Sequence, residues 1–207
     1  MNDERREFLV QMYNQMFNDI NRHIMVVWQS MGALFGAFAI FALVEKNIVP
    51  LDVAVSLMVL IAGWSIAHLL DASYWYNRNL VIIANIERQF LKKNDLKSIH
   101  YYFGAHRPKN RMITHLKIQV ALGLGLTLLM VGYHASVRVV PGLEAPWGAF
   151  EPSRSLPYIV CVLSMIYLWR LRKNRNAAYT EFVTNSPGDE IDASTVNYGP
   201  GHGHDPV

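Results

Sequence analysis

Cysteine is almost absent from this chain: Cys161 stands alone. No intrachain disulfide and no Cys-based zinc centre can be built from it, which excludes a disulfide-stapled scaffold. Charge is also sparse, at 17% of 207 residues with a formal net charge of +3. No Gly-rich phosphate loop, Ser-His-Asp elbow or zinc-protease box occurs, so no enzymatic signature stands out and no cofactor is expected. A disordered chain would carry more charge and far fewer apolar residues than the 52% found here. What the chain does have is four apolar runs about as long as a bilayer span. They predict an all-α integral membrane protein with four transmembrane helices, rather than a soluble enzyme with one large core. Mean hydropathy is only +0.13, because more than half of the chain lies outside those runs.

Residues 1–23 are polar and contain acids, and the apolar stretch after them is too long for the core of a cleavable signal, so the first span is expected to stay. That span covers Ile24 to Val44, with Gln29 its only strongly polar member. The second ends at Leu70 and carries Ser56, Ser65 and His68. The short connection Glu45 to Asp52, holding Pro50, makes residues 24–70 a tight hairpin. A third span runs from Ile113 to His134, with its hydrocarbon portion from Ile118 to Tyr133. The fourth, Leu156 to Trp169, would rise only about 21 Å against a hydrocarbon core of about 30 Å. Ser155 and Pro157 provide its start, and Tyr158, Tyr167 and Trp169 mark its interfaces. A re-entrant or interfacial helix is the competing reading. Residues 113–171 thus form a second hairpin around a loop, 135–155, that Trp147 and Phe150 are expected to anchor to headgroups.

Basic residues set the orientation. Sixteen Lys and Arg fall in the N-terminal segment, the central connection and the C-terminal flank, against three (Lys46, Arg138, Arg154) in the other two loops. This bias predicts both termini in the cytoplasm and an even number of spans, with the inner membrane of a bacterium as the location.

The cytoplasmic parts are patterned too. Phe8, Leu9, Met12, Tyr13, Met16, Phe17, Ile20 and Ile24 recur at spacings of three and four, one apolar face of a helix that runs into the first span. A similar period over Tyr74, Leu80, Ile83, Ile86 and Phe90 predicts a helix from Asp71 to Lys93 that packs on it. For the N-terminal stripe, a helix lying flat in the interface is the alternative. Asp95 is expected to cap a short helix through Phe103, and residues 172–207 to form a flexible tail. Within 71–112, a segment joins Tyr101, Tyr102 and Phe103 to Lys92, Lys93, Lys97, Arg107, Lys109 and Arg111. Its ordinary reading is lipid- or phosphate-binding at the headgroups of the bilayer. Nucleic acid is not expected as a partner, because no nucleic-acid motif accompanies the rings.

Two further constellations stand out. Gly32 and Gly36, then Ala121 and Gly125, have the four-residue spacing of helix-packing faces, used either within one chain or in a homo-oligomer. His68 and Asp71 share a helix face at the cytoplasmic end of the second span. They are candidates for a catalytic or proton-relay pair and, more simply, for a hydrogen-bonded structural pair. Gln29 and Ser30 bond between helices or line a pore. No metal site is expected: His100, His106 and His115 are spaced too widely, and His202 and His204 with Asp205 sit in the tail.

The first ninety residues, a hairpin of spans extended by helices such as the stretch from Tyr74 to Phe90, resemble uncharacterised bacterial multi-span proteins. More loosely they resemble the SLATT-type membrane effectors of bacterial defence systems. That resemblance implies a pore-forming or membrane-perturbing effector governed by a cytoplasmic protein partner. The expected function is accordingly a homo-oligomeric membrane effector, sensor or gated pore; the alternative is a membrane-embedded enzyme or transporter that uses His68 and Asp71, with His100 or His106.

Overall fold

The computed structural model describes residues 3–92, 95, 107, 109–143, 145–146, 149 and 151–187. It is all-helical, with no strand among the described residues. Four helices are long: α1 (Asp3–Ala37), α3 (Leu51–Glu87), α4 (Thr114–His134) and α5 (Leu156–Thr184); the short α2 (Ile40–Glu45) follows α1 after a break. Among the described residues three stretches are long and apolar enough to cross a membrane: Asp3–Glu45, Leu51–Glu87 and Thr114–Gly142. By composition α5 is not among them, since charge resumes at Arg170.

The long helices alternate in direction. Contacts of His134 with Asp52 and with Tyr158 put the 45–51 and 135–155 connections at one end of the bundle, here the hairpin end. Bonds from Tyr13 to Glu87 and from Asn85 to Ser186 put the start of α1 and the ends of α3 and α5 at the other, the terminal end.

α3 is the hub, packing against α1, α4 and α5. Small side chains make this possible: Ala54, Ala62, Ser65, Ala72 and Ser73 are all buried on it, and small residues let helix backbones approach where lipid removes the hydrophobic drive. A Cβ added to Gly63 would lie 3.1 Å from Ser164 Oγ of α5. At Gly123 of α4 it would lie 3.2 Å from Ile66 Cγ1 of α3. The main core joins Val27, Met31 and Leu34 of α1 to Met58, Ala62 and Leu69 of α3 and Leu116 of α4. Toward the terminal end Ile20, Leu80 and Ile83 are buried together, flanked by Tyr13, Met16, Phe17 and Ile24. The apolar stripe ahead of the first span therefore does pack on the extension of α3.

Three expectations need correction. The first span is not one helix. At Phe38 and Ala39 the N–H groups donate to Phe35 O and Gly36 O, both at 3.1 Å, the tighter i→i+3 pattern, just after the poor helix former Gly36. Secondly, α3 stops at Glu87 rather than Lys93, and the chain turns through Arg88 to Phe90 on bonds to Ala84, Ile86 and Glu87. The short helix expected after Asp95 lies outside the described residues; Asp95 Oδ2 itself accepts from the Lys92 N–H at 2.7 Å. Lastly, 172–184 is no tail. α5 runs on to Thr184 because Tyr179, 1% exposed, anchors it: its ring meets Tyr74 edge-on and its hydroxyl donates to Arg107 O at 2.7 Å.

The hairpin between α2 and α3 follows from two local rules. Ile48 N–H donates to Leu43 O and Asn47 N–H to Val44 O, each at 2.9 Å, a Schellman closure. Asn47 takes the left-handed position, at φ 57°, which its side chain tolerates. Pro50 then caps α3 and sets Asp52 in its first turn, where a carboxylate suits the helix dipole.

Candidate functional site

His68 and Asp71 do share a surface. They line a groove of about 660 Å³ between α3 and α5, whose walls are otherwise mostly apolar: Leu60, Trp64, Val160, Leu163 and Leu171 among them. No hydrogen bond joins the two residues, and each has its own neighbour. Asp71 Oδ1 lies 2.6 Å from Arg175 Nη2, an ion pair at a poor hydrogen-bond angle. The His68 ring meets Trp64 edge-on with centroids 4.5 Å apart. Arg175 also stacks on Tyr74, its guanidinium carbon 5.0 Å from the ring centre.

A denser polar site lies at the hairpin end, and sequence reading did not anticipate it. Asp52, 2% exposed, takes four hydrogen bonds from three residues outside α3. His134 Nε2–H and Arg138 Nε–H donate to Oδ1, both at 3.0 Å. Arg138 Nη2 and the Ser153 hydroxyl donate to Oδ2 at 3.2 and 2.8 Å. The carboxylate beside Nε2 fixes the tautomer of His134, so Nδ1 accepts from the Tyr158 hydroxyl at 3.0 Å. Arg138 reaches Asp52 because α4 continues past His134 as a π-helical turn, Ala135–Val139. Arg138 also donates to Glu151 Oε2 at 2.8 Å, and Arg154 donates to both Glu151 oxygens at 2.8 and 3.2 Å. These two guanidiniums, Arg154 first, hold the Glu151 carboxyl below the usual range. Arg154 closes the layer by donating to Arg138 O at 3.0 Å, and its Nη1 lies where a Cβ on Gly142 would be, at 2.7 Å.

Both nitrogens of His134 and both oxygens of Asp52 are thus in use, and His134 is fully buried. A general base needs a free lone pair facing substrate. This arrangement has none, so its chemistry is that of a clamp that fastens the starts of α3 and α5 to the end of α4.

At the terminal end Asn77, also fully buried, is a second fastener. Its Nδ2 donates to Ser73 O, Asn110 Oδ1 and Arg111 O at 2.8, 3.0 and 2.9 Å. Asn110 in turn donates to Asn176 Oδ1 at 3.2 Å. The strand of chain that leads into α4 is therefore tied to both α3 and α5, and Arg107 is held with it through Tyr179. Burial pushes the Tyr179 hydroxyl up to about 12.

Of the expected basic aromatic segment, Lys92, Lys109 and Arg111 are exposed. Lys93, Lys97, His100, Tyr101, Tyr102, Phe103 and His106 lie outside the described residues, as do Trp147, Phe150, His202, His204 and Asp205. Gly32, Gly36, Ala121 and Gly125 all face out of the bundle. A Cβ at any of the three glycines would meet nothing within 4 Å, so the close helix approaches inside the chain use Gly63 and Gly123 instead. Gln29 is exposed on the same face of α1 as Gly32 and Gly36. Among the described residues no group of three or more His, Cys, Asp or Glu is placed to hold a metal ion. Comparison with known proteins gives no match: no family model fits the chain, and no curated protein or solved structure is significantly similar to it.

Proposed function

We propose that the chain is a homo-oligomeric protein of a bacterial inner membrane, crossing it four times with both termini cytoplasmic, and acting as a membrane effector, sensor or gated pore controlled through its cytoplasmic helices. The observation that carries this reading is the outer face of α1. Gln29, Gly32 and Gly36 lie along it, and among the described residues nothing stands against the glycines and none bonds the amide. In hydrocarbon a side-chain amide gains from a partner, and small residues beside it admit a second backbone at close range. A second copy supplies both.

Other features support the remainder. Asp52 and Asp71 are nineteen residues apart on α3, about 28 Å of helix, which matches a hydrocarbon core of about 30 Å. The two polar layers around them then sit at the two interfaces. α5 touches both, through Tyr158 and Arg175, which favours it as the fourth span. The bias of basic residues supports a cytoplasmic terminal end. α1 and α3 are unbroken from the terminal layer into their apolar portions, so a partner that shifts that layer moves the spans with it. Phe8, Val10 and Phe90 offer exposed apolar contact there. The effector role itself rests on the SLATT-type resemblance.

Disulfide trapping tests the assembly. In a chain with Cys161→Ala, oxidation of Gln29→Cys should give a covalent dimer in the membrane, whereas Leu128→Cys, outward-facing on α4, should not. Absence of the dimer, or equal yield at both positions, would remove the α1 face as the interface.

The groove at His68 and Asp71 favours a second reading, a transporter or membrane-embedded enzyme. Loss of activity on replacing both by Ala, with assembly unchanged, would select it.

A further inference from the structure

A second cavity, about 530 Å³, opens between the start of α4 and the middle of α5, with α3 as its floor. Its walls carry four cations, Arg111, Lys117, Arg172 and Arg175, and no carboxylate. Among the described residues no acid pairs with Arg111, Lys117 or Arg172, and only Asp71 offsets Arg175. The Arg175 Nε–H is itself buried without a hydrogen-bond acceptor. Like charges brought together at one place repel, so an arrangement of four with one counter-charge is stabilised by an anion between them.

The cavity is also held in shape. Arg111 is fixed by its own carbonyl, which accepts from Asn77 at 2.9 Å, and Asn110 bridges Asn77 and Asn176. Asn176 uses its carbonyl in that bridge and keeps its amide N–H groups for a ligand. The volume falls within the range of about 300–1,000 Å³ common for small-ligand sites.

Its depth says which anion. Leu70 ends the apolar part of α3, Val120 lies just inside that of α4, and Arg172 lies three residues past Trp169, the end of that of α5, so the cavity straddles the boundary between apolar and charged surface. Leu70, Met112 and Val120 form an apolar side continuous with the spans, while the cations form the other. No aromatic ring lines it to stack a base. We infer that this cleft is a binding site for the phosphate of an anionic glycerophospholipid, with the glycerol and acyl ends leaving along Leu70 and Val120. Basic pockets between membrane helices at the cytoplasmic face are a recurrent solution for such headgroups. The inference rests on the membrane reading above.

The test uses the full chain in nanodiscs. Wild type, Lys117→Gln/Arg172→Gln and the control Arg170→Gln/Lys173→Gln are reconstituted in phosphatidylcholine with increasing phosphatidylglycerol. Lipid retained after release is counted by native mass spectrometry, and circular dichroism checks that each variant keeps its helices. Wild type should retain phosphatidylglycerol over phosphatidylcholine. Removing two cations worth a factor of about five each should weaken retention about twenty-five-fold, and the control pair, equal in charge but outside the cleft, should stay near wild type. Equal loss in both pairs would mean diffuse surface charge and overturn the site, as would wild type retaining both lipids alike. Glycerol phosphate or inorganic phosphate, added to the discs that contain phosphatidylglycerol, supplies the same anion without a tail. If either displaces phosphatidylglycerol at matching concentration, the site takes a soluble phosphate and the lipid assignment falls. A chain that never enters the discs refutes the membrane reading instead, so the two failures are distinct.

Discussion

Replacing Asp52 by Asn removes one charge and turns one of two acceptor oxygens into a donor, at a position 2% exposed. With its remaining oxygen toward His134 Nε2–H and Arg138 Nε–H, the amide nitrogen faces Arg138 Nη2 and Ser153, the groups that donated to Oδ2. The serine hydroxyl can rotate and accept; the guanidinium cannot, because it has no acceptor. Breaking a buried ion pair by removing one member costs about 3–5 kcal/mol. Here Arg138 is 33% exposed and keeps Glu151, so solvent screening lowers the expectation to about 2–3 kcal/mol. Ser153→Ala, which removes a single bond, should cost only about 1 kcal/mol.

Cys161 supplies the assay, because it is the only thiol and sits on α5 one turn beyond Tyr158. Release of α5 from the clamp exposes it to a thiol-reactive dye in detergent. At about 2–4 °C per kcal/mol for a chain of this size, the half-labelling temperature of Asp52→Asn should fall by about 4–12 °C. Adding Arg138→Gln to that variant should lower it by less than the same change lowers the wild type, since the ion pair with Asp52 has already gone. A shift no larger than that of Ser153→Ala, or full additivity with Arg138→Gln, would refute the clamp.

Gly32→Leu/Gly36→Leu should leave the single chain intact, since a Cβ at either site meets nothing in it. It should raise the dissociation constant of an assembly formed through that face at least about thirtyfold, taking about 1 kcal/mol of overpacking at each site; an unchanged mass by light scattering would reject the face. Glu87 is predicted to make stability fall as pH rises. Burial raises its carboxyl above the ordinary 4.5, so its share is complete below that value and lost as pH climbs through the raised one. Glu87→Gln keeps the acceptor for Tyr13, and should flatten that slope and gain stability at neutral pH; a wild-type profile flat over this window in thermal unfolding would count against it. Reporter fusions at Asn47 and Gly142 should behave as periplasmic and one at Asn94 as cytoplasmic; a periplasmic result at Asn94 would overturn the orientation.

Hydropathy and the 3.6-residue period located the helices well where an apolar face is long. The N-terminal stripe found the face of α1 that meets Leu80 and Ile83, because burial there recurs at every turn. The same rule misplaced ends and breaks. Phe90 fits the period of α3, yet it is 37% exposed beyond the turn at Arg88, since periodicity records which side is apolar and not where the chain leaves the helix. In α5 the failure was opposite. After Trp169 no stripe continues, and the helix persists on one buried anchor, Tyr179, whose partners lie in other segments.

His68 and Asp71 were legible because three residues on a helix place two polar groups on one face by geometry alone. Arg175, which pairs with Asp71, carries no local mark among the basic residues around it. The clamp shows the same limit more sharply. Each member has an ordinary local role: Asp52 as an acid in a helix's first turn, His134 as the end of a span, Ser153 as loop. Their bonds cross 82 and 101 residues. One signal was available. His134 and Arg138 are four apart, so they lie one turn apart on one side of a helix end, and the hairpin that must sit at the same depth has an acid just inside its next helix. Once two hairpins of spans are accepted, depth in the membrane becomes a coordinate shared by distant residues, and opposite charges at equal depth next to apolar helices are driven together because nothing else there can solvate them.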